Sequence, residues 1–336
     1  MIVEALSAVY GAATTWRRQW YAAPARAKRL SRPVISIGNL RVGGTGKTPV
    51  VAYVARMLAA SGERPVILSR GYRRQTPSRG VTVVSDHEHV LVDVAHAGDE
   101  PLLLARLLPG VPVLVCADRY EAGRVAESTL DATVHLLDDG FQHVRLARQI
   151  DLLLVDEHDL DDRVLPAGRL REPLTNAAAA HALIVPGGSA DSARKIGERL
   201  GVPQVFRTMR RHGAAWTLRD HGTPPAPPSR VFAIAGIARP ERFLADLAVA
   251  GFDVAGSLLF RDHHPFDQAD VARIADASRA SGATAVVTTE KDAMRLEPLA
   301  LPAGLTIAAV PLETVVEPAD LFSVWIGNRL ALARAT

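Results

Sequence analysis

Two stretches of this chain have the residue types and spacing that phosphoryl chemistry needs. The first is Gly43-Gly44-Thr45-Gly46-Lys47-Thr48, between an apolar run at 34–37 and a helical pattern over 50–60. A glycine-rich loop ending Gly-Lys-Thr between strand and helix is a phosphate cradle. Its N–H groups and the helix N-terminus face the anion, Lys47 reaches the β- and γ-phosphates, and the Thr48 hydroxyl can hold Mg²⁺. The ligand expected is a nucleoside triphosphate. The loop departs from two commoner forms, because Arg41 stands where one has glycine and Val42 where the other has lysine. Pro49 lies in the first helical turn, where its missing N–H costs little.

The second stretch is Asp138-Asp139-Gly140-Phe141-Gln142-His143, directly after the apolar run 133–137. Adjacent carboxylates repel each other, and a nearby cation relieves that repulsion. A strand end carrying them is where a nucleotidase keeps the acid that holds Mg²⁺. His143 belongs either to the metal's surroundings or to an ordinary hydrogen-bonded loop. Asp156, after the run 151–155, competes for the same role. Arg70 and Tyr72 offer a cation and a hydroxyl near the triphosphate, or form a surface loop. Asp99, in Gly98-Asp99-Glu100-Pro101, suits an N-cap. Arg119 opens the helical pattern 119–129. Arg171 and Glu172, in the loop 165–173, either bind an anionic substrate or turn the chain. Asp262-His263-His264 follows a strand pattern at 254–260, and adjacent histidines face a catalytic group or a phosphate better than they share one metal ion.

These residues need a scaffold. Apolar runs at 65–68, 81–84, 111–115, 133–137, 151–155 and 182–185 alternate with helical patterns near 50–60, 101–108, 119–129 and 189–200. Short buried strands alternating with helices predict an α/β fold, P-loop NTPase-like, with a mostly parallel sheet flanked by helices. Ligands gather at the carboxyl ends of such strands. Residues 33–205 form this nucleotide-binding domain. Residues 206–229 read as a linker, with a short two-stranded ribbon at 208–213 and 214–218 and then the proline-rich 224–228. Residues 230–336 form a second, smaller α/β domain.

With 336 residues and a net charge of +3, the chain has ample material for two cores and gives no general argument for nucleic acid. Its single cysteine, Cys116, excludes internal disulfides and fits a buried position in a reducing compartment. The positive charge is concentrated near the start. Ile2, Leu6, Val9, Ala13, Trp16 and Trp20 share one helical face, followed by Arg17, Arg18, Arg26, Lys28, Arg29 and Arg32 with no acidic residue among them. An amphipathic helix with this basic flank, residues 1–32, suits an anionic membrane surface. The other reading is a helix packed on the protein's own core. Charge following the apolar part, and Glu4 within it, argue against a secretory signal. No apolar run is long enough to span a bilayer.

Taken in order, these motifs resemble one family. Gly38-Asn39 with Gly43-Gly44-Thr45-Gly46-Lys47-Thr48-Pro49, Arg70-Gly71-Tyr72, Gly98-Asp99-Glu100-Pro101, Asp138-Asp139-Gly140-Phe141-Gln142-His143 and Leu165-Pro166-Ala167-Gly168 look like the tetraacyldisaccharide 4′-kinases of lipid A biosynthesis. Asp262-His263-His264 and Thr289-Glu290-Lys291-Asp292-Ala293 resemble that family's later motifs. The resemblance implies transfer of the γ-phosphoryl group of ATP, with Mg²⁺, to the 4′-hydroxyl of an acylated glucosamine disaccharide 1-phosphate. It implies a peripheral place at the cytoplasmic face of the inner membrane, with the lipid substrate and the membrane surface as partners and the chain acting as a monomer. It makes Asp99 the candidate base, oriented by His263, taken as the family's single histidine after Asp262. The cleft between the domains then closes for catalysis. Arg70, Tyr72, Arg119, Arg171 and Glu172 are the candidate substrate-facing set. An ATP-driven switch or scaffold, or a kinase for a soluble metabolite, would share the loop and the carboxylates; the second domain's motifs count against the switch, and the N-terminal helix is left unexplained by the soluble-metabolite kinase.

Overall fold

The computed structural model describes all residues except Pro24, Gly44, Thr45, Arg73, 77–79, Ala214, 219–222 and Thr336, and leaves aside the side chains of residues 210–212 and 312. Gly44 and Thr45 of the expected phosphate loop, and Asp220-His221-Gly222 of the expected connector, thus lie outside the described residues. The chain forms two compact units, Met1–Met209 with Thr314–Thr336, and Arg210–Glu313.

The elements run α1 (Ile2–Ala22), β1 (Val34–Asn39), α2 (Lys47–Ala60), β2 (Pro65–Ser69), β3 (Thr82–Ser85), α3 (Val94–Ala97), α4 (Asp99–Leu107), β4 (Val113–Val115), α5 (Arg119–Thr129), β5 (Val134–Asp138), β6 (Ile150–Leu154), β7 (Ala182–Pro186), α6 (Ala190–Leu200) and β8 (Val205–His212). Then follow β9 (Trp216–Thr217), β10 (Arg230–Ala235), α7 (Pro240–Val249), β11 (Asp253–Leu259), α8 (Gln268–Ser281), β12 (Ala285–Thr288), α9 (Glu290–Leu296) and β13 (Ile307–Ala309). The chain closes with β14 (Leu312–Glu317) and α10 (Ala319–Ala335).

The first unit is built on a nine-stranded sheet of order β14-β8-β7-β6-β1-β5-β2-β4-β3. β1, β2, β5 and β6 are buried along their whole length, which is why they read as unbroken apolar runs. β1 lies between β5 and β6, parallel to both, with Ile37 opposite Asp138 and Leu152. This register sets the end of β5 beside the strand that feeds the phosphate loop. One buried cluster joins Leu40, Phe141, Leu153 and Leu183 to Ala193 and Ile196 of α6, and another joins Val66, Leu68, Leu114 and Leu137 to Ala122 and Ala126 of α5. Cys116 is buried in the second cluster, as expected. The second unit carries a five-stranded sheet of order β11-β10-β12-β13-β9, its core formed by Val231, Ala233, Phe243, Leu247 and Val287.

The structure departs from the sequence-based expectations in three places. β3, at the edge of the sheet, pairs antiparallel with β4, although α3 and α4 lie between them in the chain. The expected ribbon does not form: β8 pairs parallel with β7, while β9 pairs antiparallel with β13 in the other sheet. The last strand and helix were not anticipated, and they return residues 314–336 to the first unit because β14 hydrogen-bonds beside β8.

Of the two readings of residues 1–32, the helix packed by its apolar stripe on the protein's own core does not hold, because α1 leaves that stripe exposed. Leu6, Trp16 and Trp20 are 54, 62 and 44% exposed, and Ile2 and Val9 are exposed as well. The face that packs on the protein carries small and polar residues. Gly11 is buried, and a Cβ there would stand 3.2 Å from Pro173 Cγ. Ser7 donates to the Val164 carbonyl at 2.9 Å, and Thr15 donates to Asn176 Oδ1 at 3.1 Å. Among the described residues, no helix is long and apolar enough to cross a membrane.

Candidate active site

The phosphate loop leaves β1 through Asn39, which is fully buried and holds its surroundings together. Its Nδ2 donates to the Arg41 carbonyl at 2.8 Å, and its Oδ1 accepts from Lys47 Nζ at 3.1 Å and from Arg171 Nη2. Arg41, the residue that makes the loop irregular, is buried and pairs with Asp159 at 3.0 Å. Backbone bonds from Val42 N to the Arg169 carbonyl at 2.9 Å and from Arg171 N to the Leu40 carbonyl at 2.6 Å fasten the loop's edge to residues 169–171. Gly43 and Gly46 have φ of 106° and 81°, left-handed values open to glycine at little cost. Gly46 caps α2 with no side chain, so an anion can meet the first N–H groups of that helix. Thr48 is buried in the same turn.

At the end of β5 the two carboxylates have different surroundings. Asp138 is buried; Oδ2 accepts from Ser69 Oγ at 3.1 Å, and Oδ1 has no hydrogen-bond partner among the described atoms. Burial, Glu100 and Asp139 push its carboxyl up to about 7, against the pull of Lys47 and Ser69. Asp139 has a φ of 54°. Its carboxylate takes Arg171 Nη1 at 2.8 Å and Nη2 at 2.9 Å, with Lys47 Nζ at 3.4 Å. Burial opposes its charge, but Lys47 and Arg171 outweigh burial and hold the carboxyl below the usual range. Burial and the Arg119 guanidinium bring His143 down to about 3, so its imidazole is neutral at physiological pH.

The structure brings Lys47, Thr48, Asp138, Asp139, His143, Arg119 and Arg171 into one region at the carboxyl ends of β1 and β5. Arg119 is buried, donates to the Ala117 carbonyl at 3.0 Å, and feels the charges of Arg70, Asp139 and Asp138. Arg70 is exposed, and Tyr72 is 66% exposed. Asp99 is the first residue of α4, with Gly98 at the cap position, so it does not cap the helix as expected. Asp156 accepts from His158 N and caps the short turn Glu157–Asp159, which removes it as a rival to the carboxylate pair. Glu172 also differs from expectation. Its buried carboxylate is taken by Arg18 Nε and Nη2 at 2.8 and 2.9 Å and by Asn176 Nδ2 at 2.9 Å, so it holds the protein together. Arg18, expected in the basic membrane flank, is correspondingly drawn inside. Sequence reasoning missed Glu100 and Asn39 as site residues. The signal for Glu100 was its place beside Asp99 in the first turn of α4.

Within the second unit, the two late motifs meet at Gly236. Its N–H donates to Asp292 Oδ2 at 2.9 Å, and its carbonyl accepts from His263 N at 3.0 Å. His264 stacks on Phe260 at 4.7 Å and its Nε2 lies 2.7 Å from Asp270 Oδ2, so it is committed to that unit's packing. His263 is half-buried and adopts a φ of 57°.

A family model described as LpxK, tetraacyldisaccharide-1-P 4′-kinase, matches residues 1–330. The chain belongs to the LpxK family. An LpxK relative, the tetraacyldisaccharide 4′-kinase of Geobacter metallireducens, is 40% identical over 334 residues, 95% of each chain. That of Nitrobacter winogradskyi is 42% identical over 284 residues, covering 80% of this chain and 79% of the relative. The crystal structure of Aquifex aeolicus LpxK in complex with ATP superposes with a TM-score of 0.78 at 32% identity, covering 97% of each chain. LpxK membership agrees with the family resemblance read from the motifs, and the fold agrees with the expected mostly parallel α/β sheet.

Proposed function

We propose that this chain is an ATP-dependent kinase that phosphorylates the 4′-hydroxyl of tetraacyldisaccharide 1-phosphate, a lipid A precursor. The observation that carries the reading is the Lys47-Thr48 loop beside Asp138 and Asp139, in a chain that matches the family model from residue 1 to residue 330. In the reaction, the 4′-oxygen forms a bond to the γ-phosphorus. The bond from that phosphorus to the β–γ bridging oxygen breaks, and its electron pair leaves on ADP. The hydroxyl proton passes to Asp99, proposed as base from the motif match. Little covalent work falls to the protein, so positioning and charge neutralisation dominate.

Lys47 and the N–H groups at the start of α2 are assigned to the β- and γ-phosphates. The residues present fit a Mg²⁺ ion: Thr48 offers a hydroxyl, and Asp138 offers a buried Oδ1 with no other partner among the described atoms. Thr48 and Asp138 would be the side chains that hold such an ion. When bound, Mg²⁺ neutralises phosphate charge. Arg70, Tyr72 and Arg119 are assigned to the acceptor or the nucleotide. The outward stripe of α1 is assigned to the membrane surface where the lipid resides, on the cytoplasmic side.

The test supplies labelled ATP and tetraacyldisaccharide 1-phosphate in detergent. Label in the lipid is the expected result; label only in free phosphate would favour the switch reading.

A further inference from the structure

We propose that Arg18 is a positioning residue, through which the seating of α1 sets the geometry of the two loop segments around Asp139. This rests on the kinase reading above. Arg18 faces away from the exposed stripe, and its side chain is almost wholly enclosed. Its guanidinium makes three bonds inward: Nε to Glu172 Oε2 at 2.8 Å, Nη2 to Glu172 Oε1 at 2.9 Å, and Nη2 to the Phe141 carbonyl at 2.9 Å. It also lies 4.0 Å over the Phe141 ring. Arg17 adds a bond to the Gln142 carbonyl at 3.3 Å.

Both segments that Arg18 grips lead straight to the carboxylate. Phe141 is two residues beyond Asp139, and Glu172 adjoins Arg171, which holds Asp139 by two bonds. Gln142 and Arg171 then converge on the Asn39 carbonyl, at 3.0 and 2.9 Å. Asn39 Oδ1 in turn takes Lys47 at 3.1 Å. A planar, always-charged fork is needed to satisfy a carboxylate and a carbonyl at once; an ammonium can hold the charge pair but not the whole geometry. The helix with the outward apolar stripe therefore also fixes the nucleotide-side carboxylate.

The experiment uses the full chain as Arg18→Lys, Arg18→Gln and Arg18→Gln with Glu172→Gln. It measures kcat, the KM for each substrate, partition onto vesicles of one part phosphatidylglycerol to three parts phosphatidylcholine, and thermal unfolding. Arg18→Lys is expected to fold with a nearly unchanged midpoint, and its kcat to fall at least about 5-fold, with lipid KM and vesicle partition within about 2-fold of wild type. Arg18→Gln should lose about 10- to 100-fold in kcat, and adding Glu172→Gln should cost little more, because the two act through one linkage. Wild-type kcat in Arg18→Lys overturns the proposal. So does a rise in lipid KM with loss of vesicle binding at unchanged kcat, which would make Arg18 a lipid contact. A lower midpoint with unchanged kcat per folded molecule overturns it too, leaving a structural role only. The wild-type control separates the two readings. If wild type labels only free phosphate, the kinase reading fails, and the same losses are then sought in ATP turnover to phosphate.

Discussion

Arg171 holds Asp139 through two bonds, Nη1 to Oδ2 at 2.8 Å and Nη2 to Oδ1 at 2.9 Å, while Asp139 sits at a left-handed φ of 54°. Left-handed backbone costs a non-glycine residue about 1–2 kcal/mol, and the ion pair offsets that cost. Hydrogen bonds to charged groups are worth about 1.5–3 kcal/mol. Arg171→Ala is therefore expected to lower turnover about 10- to 100-fold in the labelled-lipid assay. An unchanged rate would mean that Asp139 keeps its place without Arg171.

Asp99 tests the proton-transfer step. General-base assistance is worth on the order of 10²–10⁴-fold. Asp99→Ala should lose that factor in kcat and leave ATP affinity, measured by equilibrium binding without the lipid, nearly intact. Turnover at the wild-type level would remove Asp99 from the reaction.

Gly38 is required by Phe141. A Cβ at position 38 would lie 2.6 Å from Phe141 Cβ and 2.7 Å from its backbone N. Overpacking of this kind costs about 1–3 kcal/mol, so Gly38→Ala should lower the urea midpoint measurably and disturb the loop that carries Asp139. A variant as stable and as active as wild type would show that the contact relaxes freely.

His143 links stability to pH. Burial and Arg119 bring its folded pKa to about 3, below the unfolded value near 6.5. The unfolded chain thus binds more protons in that window. The contribution is full above about pH 6.5 and is lost as pH falls, by up to about 1.4 kcal/mol per unit. Asp138, raised to about 7, acts in the opposite sense, so the informative quantity is a difference. The stability gap between wild type and His143→Asn should shift toward the variant on going from pH 7.5 to 5.5. A gap independent of pH would show that His143 titrates normally.

Trp16 and Trp20 of α1 form a tilted pair, with centroids 5.5 Å apart, and are exposed. Replacing both with serine should weaken sedimentation with anionic vesicles at least about 10-fold and leave thermal stability nearly unchanged, since neither ring is buried. Equal vesicle binding would assign the stripe to another partner.

Much of this was legible in the sequence because it obeys local rules. The core strands of the first sheet were readable as apolar runs since burial on both faces leaves no alternation, and α5 was placed at 119–129 from its pattern alone. The lysine and threonine were found because they close a glycine-rich loop between a strand and a helix, and the aspartates because they stand at the end of a buried strand. What was hidden depends on long-range pairing. Nothing near Glu172 announced that Arg18, 154 residues earlier, would take it. Nothing near β8 or β9 told that they would join different sheets, since short strands choose partners by tertiary packing. The edge strand β14 gave no periodicity strong enough to be read.

That return of the chain makes the second unit an insertion, entered from β8 and left into β14, which are neighbours in the first sheet. A segment whose two ends depart from adjoining strands is excisable in principle. Joining Met209 to Thr314 by a short turn would keep the sheet's edge pair together with Asn39, Lys47, Asp138, Asp139 and Arg171, which all belong to the first unit. The nucleotide-gripping half is thus separable as a piece of genetic material, and the catalytic whole is a host fold with a guest sewn into one hem.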